Sequence, residues 1–246
     1  MIRRLLRMAI LLSLSITAGF TPVVIAQMGQ AEITGEVRDP SAAVVPSAKV
    51  TVTEVQTNQS NTLDTSRGGD YTFGFLKPGH YTLVVQAQGF RRSIREGIQL
   101  ATGERLRLDV ELVLGNENDV VTVNEGAPLL RTESGELSQV INNRKIVDLP
   151  LISRSFIPLV ALVPGVALPP GSSFPRINGG RPRVNEYLFD GISVLQPEPG
   201  QVAFLPVIDA IQEFKVITNS PPAEFGRFNG GVINLTTKSG TNDFHG

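Results

Sequence analysis

Residues 105–112 alternate strictly between charged and apolar side chains, and this pattern constrains the fold more than any other. Every odd position is charged and every even position is apolar, in the order RLRLDVEL. A strand with one face in a core and the other in water requires this period of two. Similar alternation at 81–87 and turn residues about every ten positions predict an antiparallel β-sandwich of about seven strands.

The first 26 residues have the three parts of a secretory signal peptide. Arg3, Arg4 and Arg7 make a positive start, an apolar stretch follows, and Val24-Ile25-Ala26 supplies small residues before a cut. The apolar stretch is short for a membrane-spanning helix. We expect residues 1–26 to be a cleavable signal, and the rest of the chain to be exported.

Composition argues against several classes of function. The formal net charge is −1 and the basic residues are dispersed, so no nucleic-acid surface is expected. Cysteine is absent and only two histidines occur, which argues against a zinc site or a histidine-based nucleophilic triad. No glycine-rich phosphate loop is present. We therefore expect neither enzymatic activity nor a cofactor.

Five short motifs between residues 32 and 114 resemble those of carboxypeptidase regulatory-like domains. They are Gly35–Asp39, Pro46–Val50, Gly69–Phe73, Leu76–Tyr81 and Gly89-Phe90. The resemblance implies a transthyretin-like β-sandwich at residues 27–115 without peptidase chemistry. That superfamily also includes carbohydrate-binding modules, so glycan binding stays open, although no cluster of aromatic residues suggests a surface that stacks on a sugar.

The C-terminal half resembles the plug domain of TonB-dependent outer-membrane receptors of the Oar-like group. The matching motifs are Asp148–Leu151, Arg154, Pro164–Val166, Asn178–Ile192, Ile211–Phe214 and the run AEFGRFNGGVINLTTKSGTNDFHG at Ala223–Gly246. The resemblance implies a small α+β plug domain at residues 127–246. The fold class is thus mainly β, a sandwich followed by a plug, with the receptor's barrel absent from this sequence.

Local patterns predict individual elements in this half. A short helix is expected at 141–149, an apolar helical piece at 156–163 and a helical turn at 206–212. Asp190-Gly191 is typical of a β-hairpin turn. Strands are expected at 213–217 and 232–237.

Residues 116–126 form a predicted linker that carries the candidate TonB-contact segment. Asp119, Val120, Val121, Thr122 and Val123 make a β-prone pentad between polar residues. In the resembled receptors such a segment, the TonB box, is captured by strand addition, which needs unpaired backbone groups. The alternative is that the pentad is the first strand of the following domain.

Arg176, Arg181 and Arg183 form the one local basic cluster. In a plug they would line the barrel lumen and meet an acidic wall or a ligand. The alternative is an ordinary solvated loop.

Together these features predict the N-terminal portion of a TonB-dependent receptor in the outer membrane, whose plug gates energised uptake. The implied partners are a TonB-type periplasmic energising protein, the receptor's own C-terminal β-barrel and a transported ligand such as a glycan or a peptide. The alternative function is an exported soluble carbohydrate- or protein-binding module without transport activity.

Overall fold

A computed structural model describes residues 30–116, 119–124, 135–149, 154–196, 200–226 and 228–242. The predicted signal peptide and the first residues of the predicted plug lie outside this part of the chain, as do Pro150–Ser153 and the last four residues. The described structure is mainly β and contains three separate clusters of buried apolar residues, one in the N-terminal half and two in the C-terminal half.

Nine strands make up what we call the N-terminal sandwich. They are β1 (Ala31–Arg38), β2 (Lys49–Glu54), β3 (Ser60–Asp64), β4 (Asp70–Leu76), β5 (Gly79–Gln86), β6 (Arg92–Leu100), β7 (Arg105–Arg107), β8 (Val110–Glu111) and β9 (Val120–Asn124). One sheet has the order β4-β1-β7, with β8 also paired to β1, and the other has the order β3-β2-β5-β6-β9.

The period-two pattern explains how the sandwich is packed. In the 105–112 segment the apolar positions Leu106, Leu108, Val110 and Leu112 are all at most 3% exposed, whereas the charged positions face water. Strand β1 shows the same alternation and lies between β4 and the β7 and β8 pieces. Burying one apolar face from each sheet in a common core stabilises the sandwich without any disulfide.

The C-terminal unit follows β9 and combines a five-stranded sheet, a two-stranded antiparallel sheet of β11 and β12, and short helices. Its elements are β10 (Leu137–Asn142), α1 (Asn143–Asp148), α2 (Ile157–Val160), β11 (Val166–Ala167), β12 (Arg176–Ile177), β13 (Glu186–Phe189), β14 (Ile192–Ser193), β15 (Ile211–Asn219) and β16 (Val232–Thr237). The order of the five-stranded sheet is β10-β15-β16-β13-β14, in which only the pairing of β13 with β16 is parallel.

Most local predictions for this unit are confirmed, and one is wrong in part. Asp190-Gly191 joins β13 to β14, a 3-10 turn occupies Ile208–Ala210, and β16 covers the predicted strand. The helix predicted from residue 141 starts later, because Ile141 still belongs to β10. Asn142 then caps α1, its side-chain oxygen accepting from the Lys145 backbone N–H at 3.2 Å.

Among the described residues, no helix is both long enough and apolar enough to cross a membrane.

Candidate functional site at the junction of the two units

A tight polar contact joins the N-terminal sandwich to the C-terminal unit at Thr102. This threonine lies in the turn between β6 and β7 and is only 2% exposed. Its backbone N–H and its hydroxyl both donate to Oε1 of Glu213 on β15, at 2.5 and 2.7 Å. Its hydroxyl also lies 2.9 Å from the Thr236 hydroxyl on β16. The turn is therefore hydrogen-bonded to two strands of the other unit.

A buried ion pair lies beside this contact. Lys215 Nζ on β15 is paired with the carboxylate of Glu136, and both side chains are 7% exposed. Lys215 Nζ also donates to the Gly103 carbonyl at 2.9 Å, and Ser138 donates to Glu136 at 3.0 Å. A buried charge is tolerated only when it is paired and hydrogen-bonded. The sandwich turn thus helps to satisfy the lysine of the other unit.

The junction encloses a cleft of about 550 Å³. Its polar lining includes Arg105, Glu136, Ser138, Lys215, Glu224 and Asn234. Two ion pairs lie in this lining, since Lys215 faces Glu136, and Arg105 lies 3.4 Å from Glu224 across the two units. The cleft therefore lies at an interface in which paired polar groups connect the two units.

The candidate TonB-contact segment forms an edge strand. Strand β9 pairs in parallel with β6, from Arg92 opposite Val120 to Glu96 opposite Asn124. Asp119 precedes the strand, and its carbonyl accepts from the Arg92 N–H at 2.9 Å. Because β9 ends the sheet order, its second edge carries no strand among the described residues. One edge of the segment is thus hydrogen-bonded to β6, so the segment is not a fully unpaired linker. The other edge is open, in the sense that no described strand pairs with it.

The exposure of the segment suits contact with a partner. Val120 and Val123 are 52% and 38% exposed, and Asp119 and Thr122 also face solvent. Asp119 lies 3.6 Å from Arg91 in an exposed ion pair, which contributes little to stability. Exposed valines on an open strand edge are an accessible template for another strand.

The three arginines of the basic cluster lie at the surface of the C-terminal unit. Arg176 is in β12, and Arg181 and Arg183 are in the connection to β13; all three are exposed. The Arg183 guanidinium stacks over the Phe174 ring at 4.5 Å. Within the described part of the chain, none of the three forms an ion pair with a carboxylate. They are far along the chain from the β9 segment, and none of the ion pairs among the described residues joins the two.

Sequence reasoning did not single out Thr102, Glu136 or Lys215. Lys215 alternates with apolar neighbours in a strand, which by itself favours a solvated side chain. Lys215 is buried by contacts with Glu136 and with the Gly103 carbonyl of the sandwich turn, and no local sequence pattern indicates either contact. As for metals, no cluster of three or more His, Cys, Asp or Glu side chains suited to an ion occurs among the residues that are described.

Replacing Thr102 with valine should weaken the junction. The change keeps the shape of the side chain but removes the hydroxyl that donates to Glu213. The part-buried Glu213 carboxylate then accepts one hydrogen bond fewer. We expect the free energy of unfolding to fall by about 1–3 kcal/mol. Urea denaturation followed by circular dichroism measures the loss. The control is Thr72→Val on the exposed face of β4, expected to change stability by less than about 0.5 kcal/mol. Equal effects of the two changes would contradict the assigned role.

Two sequence comparisons relate this chain to known proteins. Residues 32–113 match the carboxypeptidase regulatory-like domain family. The TonB-dependent transporter Oar of Myxococcus xanthus is 32% identical over 222 residues, which cover 87% of this chain and 20% of that protein. The chain therefore spans about a fifth of the length of this relative.

Similarity to solved structures is weak. Catechol 1,2-dioxygenase from Acinetobacter sp. ADP1 is 13% identical, with a TM-score of 0.31, covering 41% of this chain and 60% of that one. The Bacillus anthracis TIE protein is 21% identical, also with a TM-score of 0.31, covering 35% of this chain and 17% of that one. Neither similarity is strong enough to support a functional conclusion. The sequence comparisons are stronger: the chain is similar over most of its length to a TonB-dependent transporter, and it contains a carboxypeptidase regulatory-like domain.

Proposed function

We propose that this chain is the gating, periplasm-facing portion of an outer-membrane TonB-dependent receptor. Residues 1–26 would direct export and 27–115 would form the regulatory-like sandwich. The linker at 116–126 would carry the TonB-contact segment, whose strand β9 adds to the edge of a sandwich sheet, and 127–246 would be the plug. The observation that carries the proposal is the similarity to Oar over most of the chain. The mixed α and β elements of the C-terminal unit are compatible with a plug. The role is binding and gating, without catalysis.

The partners follow from this role. A TonB-type periplasmic protein would pair with β9, because its second edge is open and its valines are exposed. The receptor's own C-terminal barrel would surround the plug. Arg176, Arg181 and Arg183 would face the lumen, where their exposed guanidinium groups suit an acidic wall or ligand.

The order of the strands suggests how a pull on β9 would reach the plug. The next described strand along the chain is β10, which is the edge strand of the C-terminal sheet and pairs only with β15. Glu136, the partner of Lys215, directly precedes β10. Tension on the segment would therefore first separate Glu136 and β10 from β15. An edge strand is also the part of a sheet that opens at lowest cost, because it has only one neighbour.

A proline in β9 tests the proposed contact. Thr122→Pro places a residue without a backbone N–H in the exposed strand, so it should disrupt strand addition at that edge. We expect the periplasmic domain of a TonB protein to bind the chain in solution and to lose about tenfold or more in affinity with this variant. Isothermal titration measures the affinity.

The control lies on the opposite edge of the same sheet. Thr62→Pro changes the same residue type in β3, the other edge strand, and should leave binding unchanged. Circular dichroism checks that both variants keep the fold. No binding by the unchanged chain, or an equal loss in both variants, would refute β9 as the TonB contact.

A further inference from the structure

Two turns of the N-terminal sandwich are hydrogen-bonded to the C-terminal unit. The first, which we call the clamp turn, is Ala101–Glu104, whose bonds to β15 and β16 are described above. The second follows β2 and holds Asn242, which comes after β16. The Asn242 backbone N–H donates to the Gln56 carbonyl at 3.2 Å, and its side-chain amide donates to the Thr57 carbonyl at 2.8 Å. The two units therefore touch through polar groups at two separate places.

No apolar core is shared between the two units in the described part of the chain. The first cluster of buried apolar residues lies within 31–112, and the other two lie within 141–235. Cavities of about 550 and 250 Å³ adjoin the clamp turn, since Thr102 and Gly103 line both of them. An interface with polar contacts and without a common apolar core is typical of domains that move relative to one another.

The part of the C-terminal sheet beneath the clamp turn is polar. In the register of β15 and β16, Glu213 lies opposite Thr236, and Lys215 lies opposite Asn234. The residues that alternate with them belong to a buried apolar cluster on the other face of the sheet: Phe214, Val216, Ile233 and Leu235. Water can hydrate the carboxylate, ammonium, amide and hydroxyl groups once the clamp turn leaves. Separating the units at this place would therefore expose little apolar surface.

We propose that the N-terminal sandwich is a reversible clamp on the C-terminal sheet, and that it separates from β15 and β16 while both units stay folded. In the docked state, the clamp turn holds two inner strands of the five-stranded sheet. The clamp turn directly follows β6, and β9 is paired with β6, so a pull on β9 also acts on the clamp. One consequence rests on the proposed function: the clamp has to release before the sheet opens during gating.

Amide hydrogen exchange of the full chain, resolved by NMR, tests the separation. The Thr102 N–H reports on the junction, because it donates to Glu213 at 2.5 Å. The Val37 and Glu186 N–H groups report on opening of each unit, because both donate within their own unit at 2.9 Å. Relative to intrinsic rates, we expect exchange at Thr102 to be about tenfold or more faster than at either reference. Equal protection of the three amides would show a fixed interface and overturn the proposal.

A disulfide across the junction separates movement of the whole sandwich from fraying of one turn. The chain has no cysteine, and the Thr102 and Thr236 hydroxyls lie 2.9 Å apart, so Thr102→Cys with Thr236→Cys can be oxidised to link the units. Oxidation should slow exchange about tenfold or more at residue 102 and at Asn242, which is held by the other turn. The matched control is Thr51→Cys with Thr62→Cys, whose hydroxyls are also 2.9 Å apart but lie within the sandwich. Its oxidation should leave both rates unchanged.

The remote reporter decides whether the sandwich moves as a unit. An unchanged rate at Asn242 after oxidation of the junction pair would show that only the clamp turn moves, and would overturn the proposal. Equal slowing by the control pair would do the same. Circular dichroism checks that both reduced cysteine pairs keep the fold, and the rates in the unchanged chain decide the question if they do not. The test requires neither a TonB protein nor a membrane, so its failure would be distinct from a failure of the receptor assignment.

Discussion

Gly35→Ala is expected to destabilise the N-terminal sandwich by about 3 kcal/mol or more, because the site has no room for a side chain. A Cβ at Gly35 would lie 1.9 Å from the Leu108 carbonyl oxygen and 2.7 Å from the Tyr71 hydroxyl. Those two groups are themselves hydrogen-bonded, at 2.5 Å, inside the core. Relief therefore requires a backbone shift between β1 and its partner strands. Urea denaturation of the full chain, followed by far-ultraviolet circular dichroism, measures the loss.

The matched control for this change is Gly74→Ala. Gly74 lies in the neighbouring strand β4, and a Cβ there would meet nothing within 4 Å. Because both variants exchange glycine for alanine, the effect on the unfolded chain is the same in each. We expect Gly74→Ala to leave stability within about 0.5 kcal/mol of the original or to raise it. Comparable losses in the two variants would show that β1 does not pack against Leu108 as described.

Lys215→Met is expected to lower the free energy of unfolding of the C-terminal unit by about 3–5 kcal/mol, because it leaves a buried carboxylate without its partner. The Glu136 side chain, which is 7% exposed, would lose its lysine partner and keep the Ser138 hydroxyl as a donor. The Gly103 carbonyl would also lose its donor, which weakens the junction with the sandwich. Urea denaturation measures the change.

A second substitution separates the lost charge pairing from lost packing. Replacing both partners, Lys215→Met with Glu136→Leu, removes the unpaired charge and should recover most of the stability, as observed for buried ion pairs replaced by apolar side chains. Lys238→Met, at an exposed lysine that follows β16, serves as the control and should change stability by less than about 0.5 kcal/mol. A double variant as unstable as Lys215→Met alone would contradict the assigned ion pair.

Local features of the fold were predictable from the sequence. The alternation at 105–112 correctly predicts which face of the segment is buried, and Asp190-Gly191 correctly predicts a hairpin. Both patterns depend only on neighbouring residues. The strand at 232–237 was predictable for the same reason. The two-domain organisation with boundaries at 115 and 127 stays a prediction, although the clusters of buried residues in the two halves are separate.

The features that lie at the proposed sites depend on contacts between distant residues. The parallel pairing of β9 with β6 joins segments more than twenty residues apart, and no local pattern in the pentad indicates it. Lys215 is buried in part by a turn over one hundred positions earlier in the chain.

Fractionation of cells that produce the native protein tests the central claim most directly. An antibody against this chain should detect its antigen in the outer-membrane fraction, where we propose the receptor resides. The antigen should have a mass several times 26.5 kDa, since the chain spans only 20% of its transporter relative. A soluble periplasmic antigen no larger than 26.5 kDa would contradict the receptor assignment and favour an exported binding protein.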